Sequence, residues 1–202
     1  MLRSFHTKGF KEAGLDEAGR GCLAGPVVAA YVILPPDYSH PLLTDSKKLS
    51  KKLRETLREE IIKEAIEYHV SEVSSEVVDE INILNASFLA MHQALDNLKC
   101  RPDLLLIDGN RFKAYKNFHH ECIVEGDSKF FSIAAASILA KTYRDDLMTK
   151  FAEEFPVYGW HTNMGYATKK HIAAIKEHGI TPLHRKSFTL FSTQLDLFKN
   201  TP

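Results

Sequence analysis

The clearest chemistry in this chain lies in two adjacent carboxylates and in the arginine between two glycines that follows them. Asp16 and Glu17 end an apolar approach, and Gly19, Arg20 and Gly21 come directly afterwards. Neighbouring carboxylates repel each other and resist desolvation, so a pair beside a core strand usually shares a cation. Glycines let the backbone approach a ligand, and an arginine can bind phosphate through two hydrogen bonds. The stretch predicts an acidic metal site beside a phosphate-binding loop, as in an enzyme that acts on a phosphodiester.

Two more acids stand next to apolar segments further along the chain. Asp108 follows four consecutive apolar residues, where a charge is costly unless it is satisfied, and Asp127 stands shortly before a long apolar segment. Each acid also has a purely structural alternative. Asp16 and Glu17 suit a solvated turn, and Asp108 suits an Asp-Gly turn. Asp127 suits the N-cap of the following helix.

The four acids together predict a two-metal site. They come at strand ends and at a helix start, from which their side chains can converge. Two ions ~3.5–4 Å apart can clamp the attacking and leaving oxygens of an in-line displacement. Because the ligands are hard oxygens and no Cys or His cluster is present, Mg²⁺ or Mn²⁺ is favoured over zinc.

Three further stretches supply positive charge or stacking surface for a nucleic acid. The first, at 45–49, contains Ser46 and Lys47. The second, at 159–166, is loop-like and aromatic and ends at Tyr166, and the third, at 184–188, is a compact basic turn around Arg185. Their interleaving with Gly and Asn favours a nucleic-acid groove. The alternative is that the basic runs are solvated faces and that the aromatic residues belong to the core or its rim.

Composition limits the class of protein. With 202 residues and 22.9 kDa, the chain suits one domain with a sizeable core, over 1–202. The net charge is zero, so any nucleic-acid surface must be a local patch. Three cysteines without metal-ligand spacing indicate free thiols in a reducing cytoplasm. The N-terminus lacks the apolar region of a signal peptide, and no apolar run approaches membrane-spanning length, so we expect no membrane partner.

The pattern of apolar residues predicts an α/β protein. Strands are expected at 10–16, 27–34, 69–73, 104–107 and 122–124, and helices at 50–69, 75–81, 86–98, 132–155, 167–178 and 187–198. Early strands followed by alternating helices and strands indicate a mixed sheet flanked by helices. The helix at 132–155 begins with small apolar residues, which predicts that it packs deeply against the sheet.

Several of these motifs, in this order, resemble the signature of ribonuclease HII, the bacterial type 2 ribonuclease H. The matching stretches are 15–21 with 25–30, then 45–49, 107–109, 126–129, 134–141, 165–168 and 184–188. The resemblance covers about 11–188. It implies a ribonuclease H-like fold, with a mixed five-stranded sheet between helices and a C-terminal helical part at about 180–202.

The resemblance also implies a function. The family's four metal-coordinating acids map onto Asp16, Glu17, Asp108 and Asp127, its Gly-Arg-Gly loop onto Gly19, Arg20 and Gly21, and its substrate-reading tyrosine onto Tyr166. A protein of this family cuts the RNA strand of RNA–DNA hybrids and incises DNA at embedded ribonucleotides, leaving 5′-phosphate and 3′-hydroxyl ends. We expect a cytoplasmic monomer that acts in ribonucleotide excision repair.

Two other functions are compatible with part of the pattern. A DNA nuclease or strand-transferase on the same fold would keep the acids but lack a reader of the ribose 2′-OH, the group that separates RNA from DNA. The Gly-Arg-Gly loop and Tyr166 argue against it. A non-catalytic nucleic-acid-binding module would tolerate the loss of one or more acids, whereas all four are present.

Overall fold

The computed structural model describes residues 2–188. In chain order the elements are β1 (Glu12–Ala18), β2 (Val27–Ile33), α1 (Lys51–Glu64), β3 (Glu67–Val73), α2 (Ser75–Ile81), α3 (Ile83–Leu95), β4 (Leu104–Asp108), β5 (His120–Ile123), α4 (Phe131–Glu154), α5 (Trp160–Asn163) and α6 (Lys169–His178). The helix predicted at 187–198 lies outside the described residues, apart from its first two positions. In the part of the C-terminal region that is described, 180–188, the chain forms turns rather than a helix.

Most predicted elements are present, and their boundaries shift for identifiable reasons. Helix α1 begins after Ser50, whose side chain caps Leu53 N–H as a Ser at this position should. It ends at Glu64, earlier than predicted, because β3 starts at Glu67 to pair with β2. Helix α3 starts earlier than predicted because Asn82 provides its cap.

The mixed five-stranded sheet predicted from the sequence is confirmed. The strand order is β3-β2-β1-β4-β5. Strands β1, β2 and β3 pair antiparallel, whereas β4 runs parallel to β1 and β5 runs parallel to β4. Strands β1 and β4 therefore end at the same edge of the sheet.

Helices cover both faces of the sheet, and β2 is buried along its whole length. Its odd-numbered side chains join the core beneath α3, and its even-numbered side chains join the core beneath α4. Strand β1 lies very close to α4, because a Cβ on Gly14 would come within 2.2 Å of the backbone carbon of Ser132. Small residues on both elements thus fix the first half of α4 across β1, beside the strand end that carries the acids.

Among residues 2–188, no helix is long and apolar enough to cross a membrane.

Candidate active site

Two parallel strands bring the predicted acids to one edge of the sheet. The register of β1 and β4 places Asp16 and Asp108 at neighbouring positions, just after the last pair of strand residues. Successive side chains of a strand point to opposite faces, so Asp16 and Glu17 lie on the two sides of this edge. Asp16 faces α4 and lines a cleft together with Ser137, and Glu17 also lines a cavity beside α3.

Asp127 reaches the same region from the turn before α4. It lies in a short 3-10 turn, Gly126–Ser128, and the N-cap position of α4 is Phe130, which makes no side-chain cap. The alternative that Asp127 caps the helix is therefore wrong. The turn is attached to β4, because the backbone N–H of Gly126 donates to the Asp108 carboxylate at 2.7 Å. We call Asp16, Glu17, Asp108 and Asp127 the acid edge.

Burial and mutual repulsion make the acid edge electrostatically unfavourable. Burial raises the pKa of Asp16 well above its usual range, and the charges of Glu17 and Asp108 raise it further. Burial also raises the pKa of Glu17, although Arg20 opposes the shift. For Asp127, burial raises the pKa and Asp108 adds to the effect. Buried groups whose pKa values are shifted by neighbours of like charge are typical of functional sites.

Lys47 lies among these carboxylates. Its ammonium is 3.6 Å from the Asp127 carboxylate, although the side chain remains 80% exposed. Burial works to lower the pKa of Lys47, but Asp127 and three further carboxylates outweigh it, so that the pKa is raised. Two of those carboxylates are Asp16 and Asp108, so the ammonium lies close enough to interact electrostatically with both.

The acids suit a hard divalent cation in type, burial and mutual proximity. Two of them are engaged with basic side chains, however, since Glu17 pairs with Arg20 at 3.0 Å and Asp127 pairs with Lys47. Among residues 2–188, no group of three or more Asp, Glu, His or Cys side chains is arranged so that it could hold a metal ion. The acids therefore fit a metal ion through the type of their ligand atoms. To bind one, Glu17 must turn from Arg20, Asp127 from Lys47 and Asp108 from the Gly126 N–H group.

All but two of the predicted site residues line one cleft of about 250 Å³. They are Asp16, Glu17, Gly19, Arg20, Gly21, Ser46, Lys47, Asp108 and Tyr166. The two glycines differ in what they face. A Cβ on Gly19, whose φ is 93°, would lie 2.1 Å from Arg144 Nε, whereas a Cβ on Gly21 would meet nothing within 4 Å. Gly19 thus lets the loop pack onto α4, and Gly21 leaves backbone open to the cleft.

The aromatic stretch at 159–166 separates into a core residue and a cleft residue. Trp160 begins the short helix α5 and is fully buried, with its ring stacked on Tyr158 at 5.1 Å. For Trp160, the alternative that it belongs to the core is therefore the correct one. Tyr166 is 44% exposed and lines the cleft, and burial together with Cys22 raises its pKa.

Arg185 is not placed where the sequence predicted. The side chain is fully buried, and its guanidinium donates to the carbonyl oxygens of Arg20 and Gly25, both at 2.9 Å. It cannot meet a substrate there, so this prediction is wrong. The sequence shows a basic turn, which is usually exposed, but two loop carbonyls converge to satisfy the guanidinium.

Arg144 of α4 is also buried and donates to backbone carbonyls of the loops. It donates to the carbonyl oxygens of Pro26, Ala24 and Met164 at 2.9, 2.9 and 2.8 Å. In the described part of the chain, neither this guanidinium nor that of Arg185 has a carboxylate at ion-pair distance. Two of the loops that line the cleft are the Gly-Arg-Gly loop and the loop that ends at Tyr166. We call the buried polar side chains beneath these two loops the support layer. Its members are Arg144, His171, His184 and Arg185.

Sequence reasoning missed two residues of α4 that line the cleft, Ser137 and Lys141. Ser137 contacts Ser46 at 3.0 Å between hydroxyl oxygens, and Lys141 donates to Asp145 at 2.6 Å. They stand four residues apart, which places both on one face of a helix. This spacing was the available signal, but it lies in a run of small apolar residues that indicates packing.

A second cavity, of about 270 Å³, opens on the other side of the acid edge. It shares Glu17, Arg20 and Asp108 with the cleft and continues along Asn110 and Arg111. The carboxylates therefore stand between two concave surfaces, each of which includes a basic side chain.

Comparison with known proteins identifies close relatives. A family model described as Ribonuclease HII matches residues 13–191. The chain is 63% identical over 198 residues to the Ribonuclease HII of Cytophaga hutchinsonii, covering 98% of each protein. It is similar to a chain in the structure of the PCNA:RNase HII complex from Archaeoglobus fulgidus, with a TM-score of 0.76 and 30% identity, covering 93% of this chain and 100% of that one. Bst-RNase HIII in complex with Mn²⁺ shares the fold, with a TM-score of 0.68 at 17% identity, over 95% of this chain and 71% of that one.

Proposed function

The chain belongs to the ribonuclease HII family, and we propose that the acid edge and its cleft are where it acts as a ribonuclease H. It is an endonuclease that hydrolyses the RNA strand of RNA–DNA hybrids and incises DNA at embedded ribonucleotides, leaving 5′-phosphate and 3′-hydroxyl ends. The observation that carries the proposed location is the meeting of buried carboxylates from two parallel strand ends with the Gly-Arg-Gly loop and Tyr166 in one cleft.

Divalent metal ions are required by this family, and we assign the ligands to Asp16, Glu17, Asp108 and Asp127. The all-oxygen donor set favours Mg²⁺ or Mn²⁺. When bound, such ions activate water and stabilise the departing 3′ oxygen. Positive charge also favours the ionised forms of Asp16, Glu17 and Asp127, whose pKa values are raised by burial and by neighbouring carboxylates.

The basic side chains of the cleft bind and orient the scissile phosphate. Lys47 is held near the acids but remains exposed, so its ammonium can turn from Asp127 to a phosphate oxygen. Arg20 is half-exposed and pairs with Glu17, and it can exchange this carboxylate for a phosphate in the same way. Ser46 is buried against Ser137 and positions the backbone of the loop that carries Lys47.

The ribose is read by backbone and by one aromatic ring. The exposed backbone at Gly21 can approach the 2′-OH because no side chain stands in the way. Tyr166 lies across the same cleft and can pack on the sugar or base next to the cleaved bond. A DNA nuclease or strand-transferase would not need this reader, which is why we favour selection for a ribonucleotide.

The cellular setting is also part of the proposal. We expect residues 1–202 to act as one catalytic domain and as a monomer in the cytoplasm, in the excision of ribonucleotides from DNA. The three cysteines are free, as a reducing compartment keeps them. Duplex DNA with an embedded ribonucleotide and RNA–DNA hybrids are the substrates of this setting.

The decisive assay compares a DNA duplex carrying a single ribonucleotide with an all-DNA duplex of the same sequence. We expect cleavage of the first alone, with 5′-phosphate and 3′-hydroxyl products, in Mg²⁺ or Mn²⁺. Excess chelator should stop cleavage. Ca²⁺ should bind without supporting it, because its looser coordination does not align water and phosphate. Cleavage of the all-DNA duplex would indicate a DNA nuclease, and full activity in chelator would refute the metal assignment.

A further inference from the structure

Two buried histidines and a tryptophan form a hydrogen-bonded group beneath the Tyr166 loop. His171 and His184 are both fully buried, and their Nε2 atoms are 3.2 Å apart. Trp160 Nε1–H donates to His171 Nε2 at 2.9 Å. The other ring nitrogen of His171, Nδ1, lies 2.9 Å from the carbonyl oxygen of Tyr166. None of these three side chains lines the cleft.

The partners require one tautomer for each ring. The indole N–H can only donate, so His171 Nε2 is an acceptor and its proton is on Nδ1, from which it donates to the Tyr166 carbonyl. His184 Nδ1 accepts from the backbone N–H of Thr181 at 2.9 Å, so its proton is on Nε2 and points to His171. Burial lowers the pKa values of both histidines, which keeps the rings neutral.

The His171 contact joins the Tyr166 backbone to the buried histidines. Further hydrogen bonds hold the two preceding residues of the loop. Arg144 donates to the carbonyl of Met164, and the backbone N–H of Leu23 donates to the carbonyl of Gly165 at 2.8 Å. Residues 164–166 are therefore fixed to α4, to Leu23 just after the Gly-Arg-Gly loop, and to α6. The contact from α6 is the one made at Tyr166 itself.

We propose that His171 is a positioning residue for Tyr166: its Nδ1–H fixes the Tyr166 backbone and thereby the placement of the ring that reads the ribonucleotide. This inference rests on the proposed role of Tyr166. His171 does not touch the substrate, and its effect should appear in the choice between substrates rather than in the metal-dependent step.

Two substitutions of His171 test separately the contacts of its Nε2 atom and of its Nδ1 atom. In His171→Gln the amide oxygen can reach the Nε2 position and accept from Trp160 and His184, but the side chain no longer donates to the Tyr166 carbonyl, which keeps only the backbone N–H of Thr168 at 2.8 Å. In His171→Asn the amide nitrogen stands near the Nδ1 position and can donate to that carbonyl, but the Nε2 acceptor is lost. His178→Gln, on the exposed side of the same helix, is the matched control.

The measurement is the ratio of kcat/KM on a single-ribonucleotide duplex to kcat/KM on a long RNA–DNA hybrid, with Tm measured for each variant. We expect the ratio to fall about fivefold in His171→Gln, the effect of one lost hydrogen bond, with Tm close to wild type. We expect His171→Asn to keep the ratio and lose Tm. An unchanged ratio in His171→Gln, or a ratio that follows Tm, would overturn the proposal.

A double-mutant cycle distinguishes this inference from the role of Tyr166. If His171 acts through the Tyr166 ring, His171→Gln should not lower the ratio of the two kcat/KM values any further in a Tyr166→Ala background. If Tyr166→Ala alone leaves the ratio unchanged, the proposed reading by Tyr166 fails and this inference fails with it. If Tyr166→Ala lowers the ratio and His171→Gln does not, only this inference fails.

One measurement requires no variant. Nitrogen NMR of the wild-type imidazoles should show His171 protonated at Nδ1 and His184 protonated at Nε2. The opposite tautomer of His171 would exclude donation to the Tyr166 carbonyl and overturn the proposal even if the substituted proteins fail to fold.

Discussion

The acid edge and the support layer both bury titratable side chains, but these side chains have different neighbours: other carboxylates at the acid edge, and loop carbonyls or ring nitrogens in the support layer. At the acid edge, burial raises the pKa values of Asp16, Glu17 and Asp127, and neighbouring carboxylates add to the effect. In the support layer, guanidinium N–H groups and ring nitrogens face loop carbonyls or one another. Among the described residues, no buried nitrogen or oxygen of this layer lacks a hydrogen-bond partner.

The difference separates what a site does from what holds it in place. Like charges at the end of two core strands cost stability, and they are useful only when a cation or a developing charge is present. The support layer also buries two guanidinium groups, but it stabilises the loops that line the cleft. A substitution should therefore have opposite effects in the two regions: loss of activity with preserved or increased stability at the acid edge, and loss of stability in the support layer.

The largest effect should come from Asp108→Asn, which tests the acid edge. We expect cleavage to fall about a thousandfold or more, on the scale of losing a group that stabilises transition-state charge. Binding of the hybrid should not weaken, because the change removes a negative charge near a polyanion. Single-turnover cleavage and hybrid affinity measure the two effects, with the exposed Asp37→Asn as control. Near-normal turnover in a folded variant would refute the assignment of Asp108.

The next effect belongs to the support layer. Arg144→Met should lower the free energy of unfolding by about 3 to 5 kcal/mol, because the carbonyls of Ala24, Pro26 and Met164 lose their shared donor. Denaturant titration measures this effect. Arg58→Met, which removes a partly exposed partner of Asp146, should cost at most about 1 kcal/mol. Equal losses in the two variants would mean that Arg144 does not support the loops.

The acid edge could be predicted from the sequence because its signals are local. Asp16 and Asp108 each follow an apolar run in the sequence, and parallel strands end at a common edge. The loop at 19–21 adjoins Asp16 and Glu17 in the chain, so its presence in the cleft follows from proximity. Tyr166 is distant in sequence, and only the ordered motifs of the family indicated its place.

The support layer could not be predicted, because burial of a polar side chain depends on partners from distant segments. Arg185 is satisfied by carbonyls some 160 positions earlier in the chain. In the sequence it stands in a basic turn, which normally indicates a solvated surface. Trp160 stands in a stretch with Gly and Asn, yet it packs on Tyr158 and donates to His171. The residue types in each stretch do not show which distant groups will contact these side chains.

The stability of the support layer should depend on pH through His184. Burial, with His171 adding to it, lowers the pKa of His184 to about 4, whereas an unfolded histidine has a pKa of about 6.5. Between these values the unfolded chain binds more protons, so the free energy of unfolding falls as pH is lowered. The loss attributable to His184 should approach about 3 kcal/mol near pH 4 and should be absent above about pH 7.

The test subtracts the pH profile of a His184→Asn variant from that of wild type. The amide oxygen of Asn can still accept from Thr181 N–H, but the group no longer titrates. The difference between the two profiles should slope between about pH 6.5 and 4. Parallel profiles for wild type and His184→Asn would show that protonation of this ring does not affect folding.

The smallest predicted effect tests whether the acid edge costs stability. In excess chelator, Asp16→Asn should raise the free energy of unfolding by about 1 to 2 kcal/mol, because the amide keeps the shape and an acceptor for Glu17 N–H but removes a buried charge. Asp37→Asn should change it by at most about 0.5 kcal/mol. In Mg²⁺ the gain should shrink or reverse, since only wild type keeps the full ligand charge and is stabilised by the ion. If Asp16→Asn is instead destabilising in chelator, the carboxylate is satisfied by its protein partners alone. The acid edge would then resemble the support layer, and the contrast between the two regions would no longer hold.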